Sequence, residues 1–238
     1  MYRRILLKLS GEQLQGKFDG GFDLDRARWI ADELRPLVNE HKEVVIMVGG
    51  GNYARGAQLQ SAQIPRVTAD NIGMLATLMN ALALASVLNA EGVPARALSN
   101  IQADQIVDQF THRRALSHLE KGRVVIVAGG IGRPYLTTDT AAVSLALEMD
   151  CDVVLKATKV DGVFDKDPNK FEDAKKFETI SYDEALGNGE IGVMDKAALG
   201  LALEHETPIV VFELLKEGNI TRAADAAKVG TRIGTRAA

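Results

Sequence analysis

The chain has 238 residues, 46% hydrophobic and 25% charged, with 28 basic against 32 acidic side chains and a formal charge of −4. That is ordinary globular composition for one large domain or two small ones with a sizeable core, and the basic residues form no block that would meet nucleic acid. The lone Cys151 excludes an intramolecular disulfide and a cysteine cluster for zinc, so a reducing compartment fits.

The N-terminal MYRRILLKLS carries an apolar stretch too short for a signal peptide, and no apolar run approaches the roughly 20 residues of a membrane span. The expectation is a soluble cytoplasmic protein without a membrane partner. ILLKL (5–9) reads as a buried strand and runs into Ser10-Gly11. A helix follows Asp23, with Ile30, Leu34, Leu37 and Val38 at helical spacing. VVIMV (44–48) is the next strand, followed by GGGNYARG and a probable helix. A long apolar helix is predicted after Asp70, a candidate N-cap, closing at Gly92. RVVIVAG (123–129) leads into GIGRPYLTTDT and the helix TAAVSLALEM. DVVLKAT (152–158) leads into KVDGVFDKDP, then MDKAALGLALEHE and the strand PIVVFEL (208–214).

Continuous apolar strands alternating with helices predict a mostly parallel sheet covered on both faces. No repeat, low-complexity tract or proline-rich linker divides the chain. It reads as one domain with two lobes, about residues 1–120 and about 121–238. Ligands of such sheets lie beyond the carboxyl ends of the strands, and the glycine loops follow those ends.

Gly49-Gly50-Gly51-Asn52 suits an anion held by backbone N–H groups, the glycines permitting positive φ; the alternative is a tight turn with nothing bound. It is neither a Walker loop nor a dinucleotide fingerprint. Lys8, on a buried strand, is either a point charge for phosphate oxygens or a snorkelling side chain at a sheet edge. Arg55 would lie one helical turn beyond the glycines. Thr137, Thr138 and Asp139 open a helix. The threonines suit a phosphate, Asp139 would orient lysines or hold magnesium, and capping is the plainer role. Asp70 is a cap or a ribose-binding carboxylate. Lys156, Thr158 and Lys159 at a strand terminus again suggest an anion. The four histidines show no metal-ligand spacing and read as surface residues, and no metal ligands are assigned. The sum points to phosphoryl transfer, which depends on positioning and charge stabilisation.

KLSGE, GGGNYARG, DNIGMLATLMNALAL, GRPYLTTDTAA and DVVLKATKVDGVFDKDP, in this order over residues 2 to about 235, resemble the bacterial-type uridylate (UMP) kinases of the amino-acid kinase family. The resemblance implies a three-layer αβα sandwich, a homohexamer, and transfer of the ATP γ-phosphoryl group to UMP with Mg2+, giving UDP and ADP in pyrimidine nucleotide biosynthesis. The acceptor would lie by the first lobe and the nucleotide by the second. Lys8 and Asp139 would be catalytic. Lys8, Leu9, Ser10, Gly11, Gly51, Arg55, Thr158, Phe164 and Asp167 would hold ATP. Gly50, Asp70, Ile131, Gly132, Arg133, Pro134, Tyr135, Leu136, Thr137 and Thr138 would hold UMP. The stretch Gly16, Lys17, Phe18, Asp19, Gly20, Gly21 sits where many members respond to GTP as activator. The chain departs from the pattern at Tyr135-Leu136, where an aromatic pair is common, and at Arg133, an added charge. The rival readings are a kinase acting on a carboxylate and a nucleotide-binding sensor or storage protein.

Overall fold

The apolar runs are apolar throughout because both of their faces are covered. In a computed structural model that describes residues 1–54, 63–187 and 191–235, β1 (Arg4–Leu9) lies mid-sheet between β2 (Glu43–Val48) and β6 (Val153–Thr158), parallel to both. The other strands are β3 (Ala95–Ser99), β4 (Asp108–Gln109), β5 (Val124–Ala128), β7 (Thr179–Ser181), β8 (Ile209–Glu213) and β9 (Thr231–Gly234). Together they form a nine-stranded sheet in the order β4-β3-β5-β2-β1-β6-β8-β9-β7. Among the described strands of this sheet only the β8–β9 pairing is antiparallel, and an isolated antiparallel bridge joins Phe164 to Lys176.

Alternate residues of each strand feed opposite cores. Ile5, Leu7, Leu9 and Leu155 pack under α2 (Leu24–Asn39), α3 (Arg66–Ala90) and α8 (Asn219–Ala224). Leu6, Met47 and Val154 pack under α4 (His112–Leu119), α5 (Thr138–Glu148), α6 (Tyr182–Gly187) and α7 (Lys196–Glu204). This is the expected three-layer αβα sandwich. The period of two along a strand puts Lys8 on the face of Leu6 and Lys156 on the face of Val154, both toward α5.

Several local expectations change. SGEQLQG contains a short helix, α1 (Gly11–Leu14), with Ser10 N donating to Gln13 Oε1 at 2.8 Å. α2 begins after Asp23 as expected, and the Asp23 carboxylate accepts from Asp25 N and Arg26 N. The long helix α3 starts earlier than expected, at Arg66, with Pro65 at its N-cap, so Asp70 lies one turn inside and caps nothing. Thr137, and neither Thr138 nor Asp139, caps α5, its hydroxyl accepting from Asp139 N at 3.0 Å. Residues 51–53 form a turn in which Tyr53 N and Ala54 N both donate to Gly50 O, and the helix expected beyond the glycines falls outside the described residues. Of the histidines, His112 and His118 are half-buried.

By length and composition α3 could cross a membrane, its best 18-residue window having mean hydropathy 1.7, which the sequence reading had not expected. In this fold it lies on the sheet, with Ala81, Leu84 and Leu88 fully buried and Leu75 and Met79 exposed.

Candidate active site

The parallel register of β1 and β6 sets Lys8 directly beside Lys156. Two adjacent ammonium groups in a sheet interior repel unless a carboxylate separates them, and α5 supplies one. Asp139 lies 2.7 Å from Lys8 Nζ through Oδ1 and 2.6 Å from Lys156 Nζ through Oδ2. All three side chains are nearly enclosed, at 9, 13 and 13% exposure for Lys8, Lys156 and Asp139. Burial pushes the Asp139 carboxyl toward protonation, but the attraction of Lys8 and then of Lys156 outweighs it and holds the group below its ordinary range. Burial, reinforced by repulsion from Lys8 and only partly offset by Asp139, lowers the Lys156 pKa. Lys156 is further fixed by donating to the Val193 carbonyl. The triad carries one net positive charge at the carboxyl edge of the central strands.

Beside it the turns after β1 and β2 cross in close contact. Gly49, Gly50 and Gly51 have ordinary negative φ, against the expectation of a positive-φ nest. Close approach is what requires glycine here. A Cβ on Gly50 would stand 2.7 Å from Gly73 O and 2.8 Å from the Ala76 Cβ, and one on Gly49 would stand 2.9 Å from Gly11 N. A reciprocal amide pair locks the crossing. Asn80 Nδ2 donates to Asn52 Oδ1 (2.7 Å) and Gly49 O (2.7 Å), while Asn52 Nδ2 donates to Asn80 Oδ1 (2.9 Å) and Gly21 O (2.7 Å).

A cleft of about 220 Å3 opens on one side of the triad, between the glycine turn, α3 and the loop after β5. Gly50, Gly51, Asp70, Ile131, Arg133 and Leu136 line it, together with Thr137 and Thr138 at the start of α5. Asp70 ties its walls together, accepting from Arg66 Nε at 2.9 Å and from Tyr135 N at 2.8 Å. Tyr135 adopts φ +69°, and the Arg66 guanidinium lies 5.4 Å from its ring centroid. A larger cavity of about 550 Å3 opens on the other side, lined by Lys156, Thr158, Phe164 and Asp167 among others. Thr158 Oγ1 donates to Val160 O at 2.6 Å, and the Asn169 backbone N–H keeps the Asp167 carboxyl below its usual range.

The Amino acid kinase family profile matches residues 3–213. The chain belongs to the amino acid kinase family. It is 47% identical to the uridylate kinase of Dichelobacter nodosus over 230 residues, 97% of this chain and 95% of that one. It superposes on the crystal structure of UMP kinase from Bacillus anthracis with a TM-score of 0.94 at 38% identity, covering 99% of this chain and 97% of the other. For UMP kinase from Ureaplasma parvum the values are 0.91, 32%, 99% and 100%. The uridylate kinase of Archaeoglobus fulgidus, at 0.75 and 24% identity over 97% and 99% of the two chains, shares the fold. The resemblance drawn from the motifs and the expected sandwich are both borne out.

Within this amino acid kinase fold, most of the expected site residues converge on the triad and its two cavities. Gly132, Pro134 and Tyr135 belong to the loop after β5 without lining the smaller cleft. Leu9 is fully buried in the core, its carbonyl accepting from Gly49 N at 2.8 Å. Ser10 and Gly11 form the turn against Gly49, Gly50 and Gly51. None of residues 16–21 lines either cavity, although Gly21 N donates to Asn52 O at 3.0 Å. Arg55 lies outside the described residues.

The supporting roles of four residues escaped the sequence reading. Asn52 and Asn80 form the amide lock. Thr77 Oγ1 accepts from Gly129 N at 2.7 Å, joining α3 to the loop after β5. Asp195 caps α7 and accepts from Thr140 Oγ1 (2.9 and 3.1 Å) and from the Thr137 hydroxyl, fixing the start of α5. The Met-Asp-Lys stretch before an apolar helix signalled the cap, but nothing local signalled its bond to α5.

Proposed function

We propose that this chain is a UMP kinase that transfers the ATP γ-phosphoryl group to UMP, giving UDP and ADP in pyrimidine nucleotide biosynthesis. The observation that carries the reading is the Lys8–Asp139–Lys156 triad standing between a smaller cleft, suited to the acceptor, and a larger cavity, suited to the nucleotide. The attacking group is a phosphate oxygen of UMP, already anionic at neutral pH, so the reaction needs no general base. That agrees with Asp139, which two cations hold ionised and hydrogen-bonded and which has no call to accept a proton. Lys8 would stabilise the charge on the transferred group, and Lys156 would fix Asp139 and so the position of Lys8. Thr137, Thr138 and the first amides of α5 would hold the acceptor phosphate at the cleft edge. Asp70 and Gly50 would meet UMP; Thr158, Phe164 and Asp167 would meet the adenosine end of ATP. In this proposal the acceptor-side lobe takes in β5 and the loop after it, since β5 lies between β3 and β2, and so extends past residue 120.

Among the described residues no three His, Cys, Asp or Glu side chains converge to cage a metal. That suits a magnesium ion carried by phosphate oxygens and water, as is usual for Mg2+ with nucleotides. Asp139 is the carboxylate that would meet its waters, and the ion would supply neutralisation of phosphate charge. A cytoplasmic homohexamer is part of the proposal, with Leu75 (56% exposed) and Met79 (50%) on α3 offering an apolar contact for another copy. So is GTP control through residues 16–21, whose link to the glycine turn through Asn52 gives it a physical route.

The test is to incubate the protein with ATP, magnesium and each nucleoside monophosphate in turn. UDP formed with UMP alone is the expected result. A phosphorylated carboxylate product, or tight nucleotide binding without turnover, overturns the proposal.

A further inference from the structure

A third cavity, of about 460 Å3, has no part in the reaction described above. It runs along the outer end of the sheet on the α2–α3–α8 side, as its floor residue Val210 belongs to that core, whereas Val211 of the nucleotide-side cavity belongs to the opposite one. Its walls carry Lys176, Lys216, Arg222, Lys228 and Arg232 against Asp161 and Glu178, a local charge of +3 in a chain of net charge −4. Lys176 is spent on Asp161 at 2.9 Å. Among the described residues the other four cations have no carboxylate partner.

Two of the four are held in place by neutral groups. Arg232 Nη1 donates to Tyr2 Oη at 2.9 Å. Arg222 donates through Nε and Nη2 to Asn219 Oδ1 (3.2 and 2.5 Å) and through Nη2 to Glu217 O (2.8 Å). Neutral acceptors fix a guanidinium without neutralising it, so its charge is preorganised for an anion. Lys216 and Lys228 stand exposed along the groove. Several converging cations suit an anion with several charges better than a single carboxylate.

We propose that this groove is a second anion site, distinct from the transfer centre, that takes an oligophosphate such as the phosphate chain of a nucleotide or a short inorganic polyphosphate. The test uses inorganic tripolyphosphate on the whole protein. Hydrogen exchange shows where the anion sits, and titration calorimetry compares wild type with the Lys216→Glu/Lys228→Glu variant, whose exposed positions leave the fold intact as checked by thermal melting. The expected result is slowed exchange over residues 226–234, saturable binding at the groove that weakens with salt, and at least about a tenfold loss of this groove affinity in the variant with kcat for phosphoryl transfer unchanged. Protection confined to the turns around Lys8, non-saturating binding, or equal groove affinity in the variant overturns it. A neutral Lys216→Gln/Lys228→Gln pair should fall between wild type and the Glu variant. Tripolyphosphate against UTP and ATP then separates recognition of the phosphate chain from recognition of a nucleotide.

Discussion

Replacing Lys8 with Met separates catalysis from folding. Lys8 Nζ lies 2.7 Å from Asp139 with 9% of its side chain exposed. At an effective dielectric of about 20, that distance corresponds to roughly 6 kcal/mol of raw attraction before desolvation is subtracted. Breaking a buried pair costs about 3–5 kcal/mol when it strands a charge. Here Lys156 remains 2.6 Å from the same carboxylate, so Asp139 is not stranded. The stability loss should therefore fall below that range, at about 1–2 kcal/mol, partly because one buried ammonium no longer has to be desolvated. The triad loses its whole net charge and one of its two ammonium groups. Turnover should fall about 10²–10³-fold, the cost of one preorganised electrostatic stabiliser. Steady-state ADP release at saturating UMP and ATP measures the rate, and urea unfolding measures the fold. A Lys8→Met protein that folds normally and keeps turnover within a few fold of wild type refutes the role given to Lys8.

Other perturbations probe different parts of the site. Asp70→Asn should raise the KM for UMP about tenfold or more while leaving that for ATP nearly unchanged, because it removes the charge that tethers Arg66 and the Tyr135 amide; a change confined to ATP would contradict the assignment. The Asp139 carboxyl is held below its ordinary value of 3.8, so its contribution to stability is present above about pH 4 and lost as pH falls through the folded-state value. Urea midpoints of wild type and Asp139→Asn should accordingly differ at pH 7 and draw together as pH falls below the ordinary value of 3.8. Burial pushes the Cys151 thiol up to about 12. Iodoacetamide at pH 8 should leave it largely unmodified in the native protein and alkylate it readily in urea. Gly50→Ala should impair both stability and UMP binding, since its Cβ would press on Gly73 O and Ala76. Normal melting and a normal KM for UMP would show that α3 can yield there.

The central architecture was legible because its strands are buried on both faces. ILLKL, VVIMV, VVIVA and VVLKAT needed no tertiary context to be recognised, and the lysines interrupting two of them are the ones that gather around Asp139. What sequence could not show was which separate segments meet. The Lys8–Lys156 adjacency follows from strand register, and the Asp195 link to α5 joins residues 55 and 58 positions apart. The glycine run was read for its conformational freedom, whereas its φ angles are ordinary and its small size is what counts. Asp70 was a plausible cap by residue type, but Pro65 opens α3 one turn earlier. Short elements such as β4, α6 and β9 carry too few residues for a periodic signal and depend on their neighbours.

The most direct measurement is a crystal structure of the protein with UMP and a non-hydrolysable ATP analogue bound together. The account predicts the UMP phosphate in the cleft bounded by Gly50, Asp70 and Thr138, the analogue's triphosphate entering from the cavity of Thr158 and Phe164, and the two meeting at Lys8 Nζ. Nucleotide phosphates ordered elsewhere, with the Lys8–Asp139–Lys156 triad left bare, would contradict it.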